Sequence, residues 1–115
     1  MATCQELTVT TTSLGAATVY SSRVNGVVRR IIIAGTLDAG TDWTITGETT
    51  GLPILVVADK NALDICPKVL AAGNPAGTVL AENGGDIHVC NERIKVVVAQ
   101  GGDAQTGTIT FVTDD

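Results

Sequence analysis

The sequence consists of short runs of β-branched residues separated by glycine-rich breaks, and this pattern is what most restricts the possible fold. Thr, Val and Ile make up 40 of the 115 residues (17, 14 and 9), and 13 glycines punctuate them. β-Branched side chains favour strands because they pack well on a pleated surface. Turn-forming residues recur about every 8–12 positions, so the pattern predicts an all-β fold: a compact antiparallel β-sandwich, jelly-roll-like or barrel-like, with about nine short strands.

The length predicts one domain. A chain of 115 residues and 11.7 kDa buries roughly 65% of its unfolded surface on folding, which suffices for one core. Neither an internal repeat nor a linker interrupts the pattern. We therefore expect a single β-sandwich domain over residues 1–115, with residues 1–5 forming a loose N-terminal end.

A hairpin is predicted near the C-terminus. The extended runs 93–100 and 107–112 flank residues 101–106, where two adjacent glycines can take positive φ at low cost. In the first run Ile94 and Val96 share one face, because successive strand side chains alternate. We expect this hairpin to be the element around which the rest of the sheet is built.

A second hairpin is predicted near the N-terminus, where residues 6–12 and 16–22 flank a short Ser-Leu-Gly turn. Asn25-Gly26 follows, and this dipeptide is the strongest signal for a two-residue hairpin because both residues tolerate positive φ. The segment before it is short, so a bulge that bends one continuous strand is an equal alternative.

Two later segments, residues 27–34 and 52–58, are apolar on both faces of the predicted strand. In a small domain such strands need a cover on each side, and a neighbouring subunit can supply one of them. Trp43 lies in a run where apolar residues alternate with threonine, which predicts a core position for its side chain. Shorter strands are predicted at 78–82 and 87–90.

The charge pattern excludes two classes of partner. The net charge at pH 7 is −5, and the seven basic residues are scattered without a stripe. Binding to phosphates needs clustered Lys and Arg, so no nucleic-acid partner is expected. No stretch approaches the roughly 18 apolar residues that a membrane span requires, so no membrane partner is expected either. The N-terminus has no basic segment followed by an apolar one, so no secretory signal is predicted.

The surface is predicted to be low in charge. Charged residues are 17% of the chain, against about 25% in a typical soluble domain. One interpretation is a threonine-rich solvated surface. The other, which we favour, is that part of the surface is buried against other chains. The composition therefore predicts association, as a homo-oligomer (a dimer or trimer) or with another protein.

The cysteines and the histidine do not form a recognisable site. Cys4, Cys66 and Cys90 are an odd number at wide spacing, which argues against a disulfide framework and for folding in a reducing cytoplasm. His88 is the only histidine and shares a strand face with Cys90. A zinc site there would lack a fourth ligand and any C-x-x-C pair, so none is predicted.

No catalytic, cofactor-binding or metal-ligating residue is predicted. The serines have no G-x-S-x-G context, and the histidine has no recognisable partner for a triad. The carboxylates fall mostly in turns, where Asp caps backbone groups. The loops 38–42 and 83–86 offer oxygen ligands for calcium, but neither matches an EF-hand, and ordinary loop use is favoured. We expect no cofactor and no enzymatic activity.

A family resemblance rests on three groups of segments in a fixed order and spacing. They are Thr8-Val9-Thr10-Thr11 with Ala17-Thr18-Val19-Tyr20-Ser21, then Asp42-Trp43-Thr44-Ile45-Thr46-Gly47-Glu48, and Glu92-Arg93-Ile94-Lys95-Val96-Val97-Val98-Ala99-Gln100-Gly101-Gly102 with Thr106-Gly107-Thr108. Together they resemble a family of small tailed-bacteriophage virion proteins encoded among head genes. The similarity spans most of the chain and is weakest over residues 59–81 and the first few residues. Its motifs are strand and turn signatures, with no catalytic fingerprint.

The resemblance implies a compact β-sandwich that acts as a capsid decoration or cement protein. Such a protein is made in the host cytoplasm, lies on the capsid exterior of the virion and has the phage major capsid protein as its partner. Two alternatives stay open. One is a phage tail or baseplate accessory protein that contacts host glycan or another virion component, and the other is a cellular oligomeric β-domain.

Overall fold

The computed structural model describes residues 2–67 and 87–114, and these residues form strands and no helix. The strands are β1 (Ala2–Thr10), β2 (Ala17–Gly35), β3 (Asp42–Gly47), β4 (Pro53–Val57), β5 (Leu63–Ile65), β6 (Ile87–Ala99) and β7 (Thr106–Asp114). The prediction of an all-β antiparallel fold is confirmed. The predicted strand at 78–82 and the loop at 83–86 lie outside the described residues. Within this part of the chain, no helix is long and apolar enough to cross a membrane.

Seven strands form in the described ranges, whereas about nine were predicted for the whole chain. Two pairs of predicted strands merge, the predicted strand at 78–82 lies outside these ranges, and β5 forms in a segment for which no strand was predicted. The runs 16–22 and 27–34 fall largely within the single 19-residue strand β2. The runs 87–90 and 93–100 likewise fall largely within the 13-residue strand β6, where Asn91 takes a φ of 48°. A strand can absorb such irregular residues as bulges, which bend it without reversing it.

Asn25-Gly26 lies inside β2 and bends that strand. Gly26 has a φ of 137°, and the pairing of β2 with β6 shifts register between Val24 and Gly26. Of the two alternatives for this dipeptide, the bulge is confirmed and the hairpin is wrong. The bend has a structural consequence, because it lets one long strand pass from one part of the sheet to the other.

The strand pairings are all antiparallel and follow the order β1-β7-β2-β6-β3-β4, with β5 also beside β2. The first half of β2 pairs with β6 and its second half pairs with β7, so the sheet divides into two layers. The β7 layer contains β1, β7, β5 and the second half of β2. The β6 layer contains β6, β3, β4 and the first half of β2. The fold is therefore sandwich-like, although every described strand belongs to one continuous sheet.

The predicted C-terminal hairpin is wrong. β6 and β7 do not pair with each other but lie on opposite sides of β2. Val19 of β2 is paired with Val96 of β6, whereas Ile33 of β2 is paired with Ile109 of β7. The two glycines at 101–102 therefore begin a crossing loop, not a tight turn. The long ladders that β2 offers to each strand outweigh the local turn preference.

The predicted N-terminal hairpin is also wrong, although its turn is present. The Thr12 N–H donates a hydrogen bond to the Ala16 carbonyl (2.9 Å) between β1 and β2. β1 nevertheless pairs with β7, through nine consecutive residue pairs that begin at Ala2. The loose end expected for residues 1–5 is therefore wrong for residues 2–5, which belong to this ladder.

Buried side chains from both layers form one hydrophobic cluster. Trp43 is fully buried, as predicted, and its Nε1 donates a hydrogen bond to the Lys60 carbonyl (2.9 Å). Each layer turns alternate residues inward, so the core lies between the layers. The other members of the cluster are Val9, Val24, Val28, Ile31, Ile33, Leu37, Ile45, Ile54, Ile87, Val89, Ile94, Val96, Val98, Ile109 and Phe111.

The two strands predicted to be apolar on both faces are covered to different degrees. In β2, Ile31 and Ile33 are buried and Ile32 is half-buried. In β4, Ile54 is buried but Val56 remains 69% exposed. Each strand thus buries apolar side chains in the core and turns one apolar side chain outward; in β4 the register shift against β3 at Ile54 interrupts the regular alternation. The expectation that another chain covers part of the surface stays a prediction.

Four glycines allow close backbone contact, two in the loops after β1 and β6 and two where β2 pairs with β7, and we call them the glycine cluster: Gly15, Gly35, Gly101 and Gly107. The Gly101 N–H donates a hydrogen bond to the Gly15 carbonyl (2.9 Å), and the Gly101 carbonyl accepts one from the Asp38 N–H (3.1 Å). A Cβ atom on Gly35 would lie 2.4 Å from the Gly107 Cα. The approach of these backbones therefore requires glycine.

Candidate interaction surface

The outward side of the β6 layer forms a nearly continuous surface, which we call the outer β6 face. The strand registers place its side chains in two rows that cross β2, β6, β3 and β4 in that order. The first row is Thr18, Val97, Thr44 and Val56, and the second is Tyr20, Lys95, Thr46 and Pro53. β-Branched side chains dominate the first row, which gives that part of the surface few rotamers to lose on contact.

The outer β6 face is low in charge and partly apolar. Of its eight positions only Lys95 is ionisable at neutral pH, and this side chain makes no ion pair with any residue in the described ranges. Val56 is 69% exposed and Tyr20 is 40% exposed. Covering such a surface removes apolar area from water with little loss of charge solvation. The face is therefore suited to contact with another protein.

A group of basic side chains lies at the Tyr20 end of this face. Arg23 of β2 is directly paired with Arg93 of β6, and Lys95 is paired with Tyr20. The Arg93 guanidinium lies over the Tyr20 ring, 4.3 Å from its centroid, and forms an ion pair with Glu48. Three of the seven basic residues thus meet at one place.

Sequence reasoning described the basic residues as scattered and missed this group. Arg23 and Arg93 are 70 positions apart, and they meet because β2 and β6 pair across two register shifts. Like charges that face each other across strands repel, but here the two guanidinium groups have different partners. Arg23 Nη1 donates a hydrogen bond to the Asn91 carbonyl (2.8 Å), whereas Arg93 is held by Glu48.

Glu92 supports this region from inside and was also missed. Its side chain is 2% exposed. Oε1 accepts hydrogen bonds from the Thr49 and Thr50 N–H groups (3.0 and 3.1 Å), and Oε2 accepts one from Thr50 Oγ1 (2.8 Å). Gly47 makes room for the carboxylate, since a Cβ there would lie 2.3 Å from Oε1. The turn between β3 and β4 is therefore built on a buried charge.

The hydrogen bonds to Glu92 favour its ionised form. The Thr50 N–H is the largest cause that lowers the pKa of Glu92 below its ordinary value, and the Thr50 hydroxyl and the Thr49 N–H add to it, while burial opposes them. The sequence did contain a signal for this residue. Glu92 is in phase with Ile94, Val96 and Val98 along β6, so strand alternation predicts that it points inward.

A small cavity lies between the start of β1, the bend in β2 and the end of β7. Its volume is about 210 Å³, and it is lined by Thr3, Gln5, Arg23, Val24, Asn25 and Thr113. Gln5 Oε1 accepts a hydrogen bond from the Ser22 N–H (3.0 Å), which links β1 to the other layer. Five of the six lining residues are polar or charged, and one of them is Arg23, so the cavity adjoins the basic group at the Tyr20 end of the outer β6 face.

The groups tested for metal binding do not converge. His88, Cys66 and Cys90 are exposed, and Cys4, Cys66 and Cys90 are free thiols. Within residues 2–67 and 87–114, no group of three or more His, Cys, Asp and Glu side chains could hold a metal ion. In the first candidate calcium loop, Asp42 Oδ1 accepts a hydrogen bond from the Asp59 N–H (3.2 Å), which links the start of β3 to the segment after β4. The second candidate loop, 83–86, lies outside the described residues.

The serines considered as nucleophiles have local structural roles or lie in solvent. Ser21 is buried; its Oγ donates a hydrogen bond to the Ser22 carbonyl (2.7 Å) and accepts one from the Ile94 N–H (2.9 Å). These bonds satisfy backbone groups where the β2–β6 register shifts. Ser13 and Ser22 are exposed.

No protein-family model matches the chain, and no curated protein matches its sequence. Two features bear on function: the chemistry of the outer β6 face and the resemblance of the three groups of segments described above. Of these, the outer β6 face is the more directly testable, because its residues can be changed without altering the core.

Proposed function

We propose that this protein is a structural component of a tailed-phage virion, which decorates the capsid exterior and stabilises the shell by binding across capsomer joints. The observation that supports this best is the outer β6 face, a low-charge surface of exposed β-branched side chains with a tyrosine and two arginines at one end. The resemblance to virion proteins encoded among head genes supplies the partner, the phage major capsid protein.

The residue types on this surface suit a protein contact. Tyrosine and arginine contribute more binding energy than most residues when a partner covers them. Tyr20 and Arg93 already lie against each other, 4.3 Å apart, so little conformational freedom remains to be lost on binding. The buried Glu92 carboxylate holds the neighbouring turn in place. The contact surface is therefore preorganised.

The mechanism is one of mass action. A protein that binds across the joint between capsomers adds its binding free energy to the assembled shell alone, because separated capsomers no longer present the joint. Many bound copies raise the free energy needed to open the shell, and association between copies increases this effect. No cofactor or catalytic group takes part.

The first test compares virions with and without the protein. Particles that lack it are expected to assemble but to release DNA at a lower temperature, and addition of the purified protein should restore the release temperature. The measurement is the fluorescence of a DNA-binding dye during heating. Identical release curves would contradict the capsid role. Saturable binding of the protein to host glycan, or its localisation to the tail, would then support the tail or baseplate alternative.

A matched pair of charge reversals tests the surface. Lys95→Glu places a negative charge in the middle of the outer β6 face, whereas Lys60→Glu makes the same change at an exposed site beyond β4. We expect Lys95→Glu to abolish the restored release temperature and Lys60→Glu to leave it intact. Equal behaviour of the two variants would show that this face is not the contact surface.

A further inference from the structure

We propose that two copies of the chain associate through their β1 strands, which pair antiparallel about a twofold axis and continue the sheet from one copy into the next. β1 and β4 are the end strands in the order of the sheet, β5 is a third strand off that order, and each of the three has one ladder partner among the described strands. The inference takes from the proposed function only the expectation that copies associate, and it does not require a capsid.

β1 is a long and regular edge strand. It pairs with β7 over nine consecutive residues without a register shift. It contains no proline, glycine or lysine, and Glu6 is its one charged residue. An edge of this kind presents a row of backbone N–H and C=O groups that another strand can pair with. Natural proteins usually protect such edges with lysine, proline, bulges or short strands, and β1 has none of these devices.

β4, at the other end of the sheet, is protected. It has five residues, begins with Pro53 and shifts register against β3 between Ile45 and Thr46. A short strand with a proline and an irregular register is a poor template for addition of another strand. β5 has only three residues and is equally poor as a template. The difference among these edges selects β1 as the pairing site.

The inward side chains of β1 favour the same arrangement. Val9 is buried, but Leu7 and Gln5 are half-buried although they point toward the core. They stay partly exposed because no strand lies beyond β1 in the described part of the sheet. A β1 strand from a second copy would cover them and extend the inner surface, since a twofold axis normal to the sheet keeps both inner faces on one side.

The charge of Glu6 helps to choose the register. In an antiparallel twofold pair, a register centred on Glu6 would place the two carboxylates directly opposite each other, which is unfavourable. A register centred on Leu7 instead pairs Leu7 with its own copy, Glu6 with Thr8, and Gln5 with Val9. It joins residues 4–10 of both copies and removes the half-buried leucine from water, so we infer this register.

The experiment measures the oligomeric state of the purified chain without any capsid component, by sedimentation velocity over a range of concentrations up to about 100 µM, which favours the dimer by mass action. The wild-type chain should sediment as a dimer at the upper end. Leu7→Lys places two ammonium groups opposite each other and should raise the dimer Kd by about tenfold or more. A wild-type chain that is monomeric throughout the range would overturn the inference.

The matched control is Leu55→Lys. Leu55 is also a half-buried, inward-pointing leucine on an end strand, but it lies in β4. The Leu55→Lys variant should leave the dimer Kd unchanged, and both variants should keep the far-ultraviolet circular dichroism of the wild type. A dimer that survives Leu7→Lys, or one that Leu55→Lys dissociates, would place the interface elsewhere.

A second measurement keeps the inference testable if Leu7→Lys does not fold. Hydrogen exchange of the wild-type chain at low and high concentration should show concentration-dependent protection of β1 amides and no such change in β4. Protection that does not change with concentration in β1 would contradict the pairing. These assays contain no shell, so a dimer found here stands even if the virion test fails, and a monomer here leaves the capsid role open.

Discussion

The glycine cluster and the region around Glu92 both hold loops to the sheet, but they do so by different physics. In the glycine cluster the backbones approach closely because side chains are absent, and the hydrogen bonds join main-chain atoms such as Gly101 N and the Gly15 carbonyl. Around Glu92, one buried carboxylate organises the turn between β3 and β4 through side-chain hydrogen bonds. The first contact depends on shape and the second on charge.

This difference determines which changes each region can tolerate. A steric contact between backbones is indifferent to pH and salt, but any added carbon must displace something. A buried carboxylate tolerates small shifts of its neighbours but depends on staying ionised. The region that depends on charge lies beside Tyr20 and Arg93, at the proposed contact surface. Conditions that change ionisation should therefore affect the contact surface before they affect the glycine cluster.

The largest effect is expected from Gly35→Ala. Its Cβ would lie 2.4 Å from the Gly107 Cα and 2.8 Å from the Thr106 carbonyl oxygen, and its φ of 128° is one that alanine rarely adopts. Overpacking and backbone strain together should cost about 3 kcal/mol or more, a large part of the roughly 5–15 kcal/mol that stabilises a domain. Urea denaturation measures the loss.

Gly51→Ala is the control for that change. Gly51 also has a positive φ, of 72°, but no atom lies within 4 Å of the position where its Cβ would be. The free energy of unfolding of this variant should fall only by the cost of the left-handed conformation, about 1–2 kcal/mol. If the two alanine variants were equally stable, close approach of the backbones would not be what makes Gly35 necessary.

A smaller effect is expected from Glu92→Gln, and it should depend on pH. Because the pKa of Glu92 is lowered in the folded chain, its ionisation stabilises the fold above the ordinary pKa of the carboxyl group, near 4.5. That stabilisation is lost as the pH falls through the folded pKa. The variant should therefore be less stable than the wild type at pH 7, and the two should converge as the pH falls below 4.5 toward the folded pKa.

The measurement is urea denaturation of both chains at a series of pH values. Other carboxyl groups, such as Asp64 beside Arg30, also have a lowered pKa and give both chains a common pH dependence. When the free energy of unfolding of Glu92→Gln is subtracted from that of the wild type at each pH, this common pH dependence cancels. Gly35→Ala serves as the control, since its deficit should be the same at every pH. A constant deficit for Glu92→Gln would mean that its charge does not hold the turn.

The fold class was predictable from the sequence because it depends on local preference. Runs of β-branched residues specify strands wherever they occur, and Trp43 alternates with threonine in a way that places it in the core. The strand partners were not predictable in the same way. Gly101-Gly102 is compatible with a tight turn, and the crossing loop forms because β2 is long enough to pair with β6 and β7 on opposite sides.

The basic end of the outer β6 face illustrates the same limit. Strand alternation alone could have found Glu92, since it is in phase with the buried side of β6. The meeting of Arg23 with Arg93 could not be found in this way, because it depends on the exact register between two strands and on the shifts within it. Information about which strand pairs with which is spread over the whole chain, so one local pattern does not contain it.

The smallest effect is expected from Arg93→Lys. Its dependence on salt distinguishes a contact that depends on charge from one that depends on shape. Lysine cannot reproduce the planar contact of Arg93 with both Glu48 and the Tyr20 ring, so a small loss of Tm is expected at low salt. Because Arg93 and Glu48 are partly exposed, this loss should shrink in about 1 M NaCl, where the Debye length is only about 3 Å. The deficit of Gly35→Ala should not change with salt, since it arises from backbone contact. If the loss of Tm in Arg93→Lys did not change with salt, packing on Tyr20 and not the charge would give Arg93 its role. Arg93 would then belong with the steric contacts.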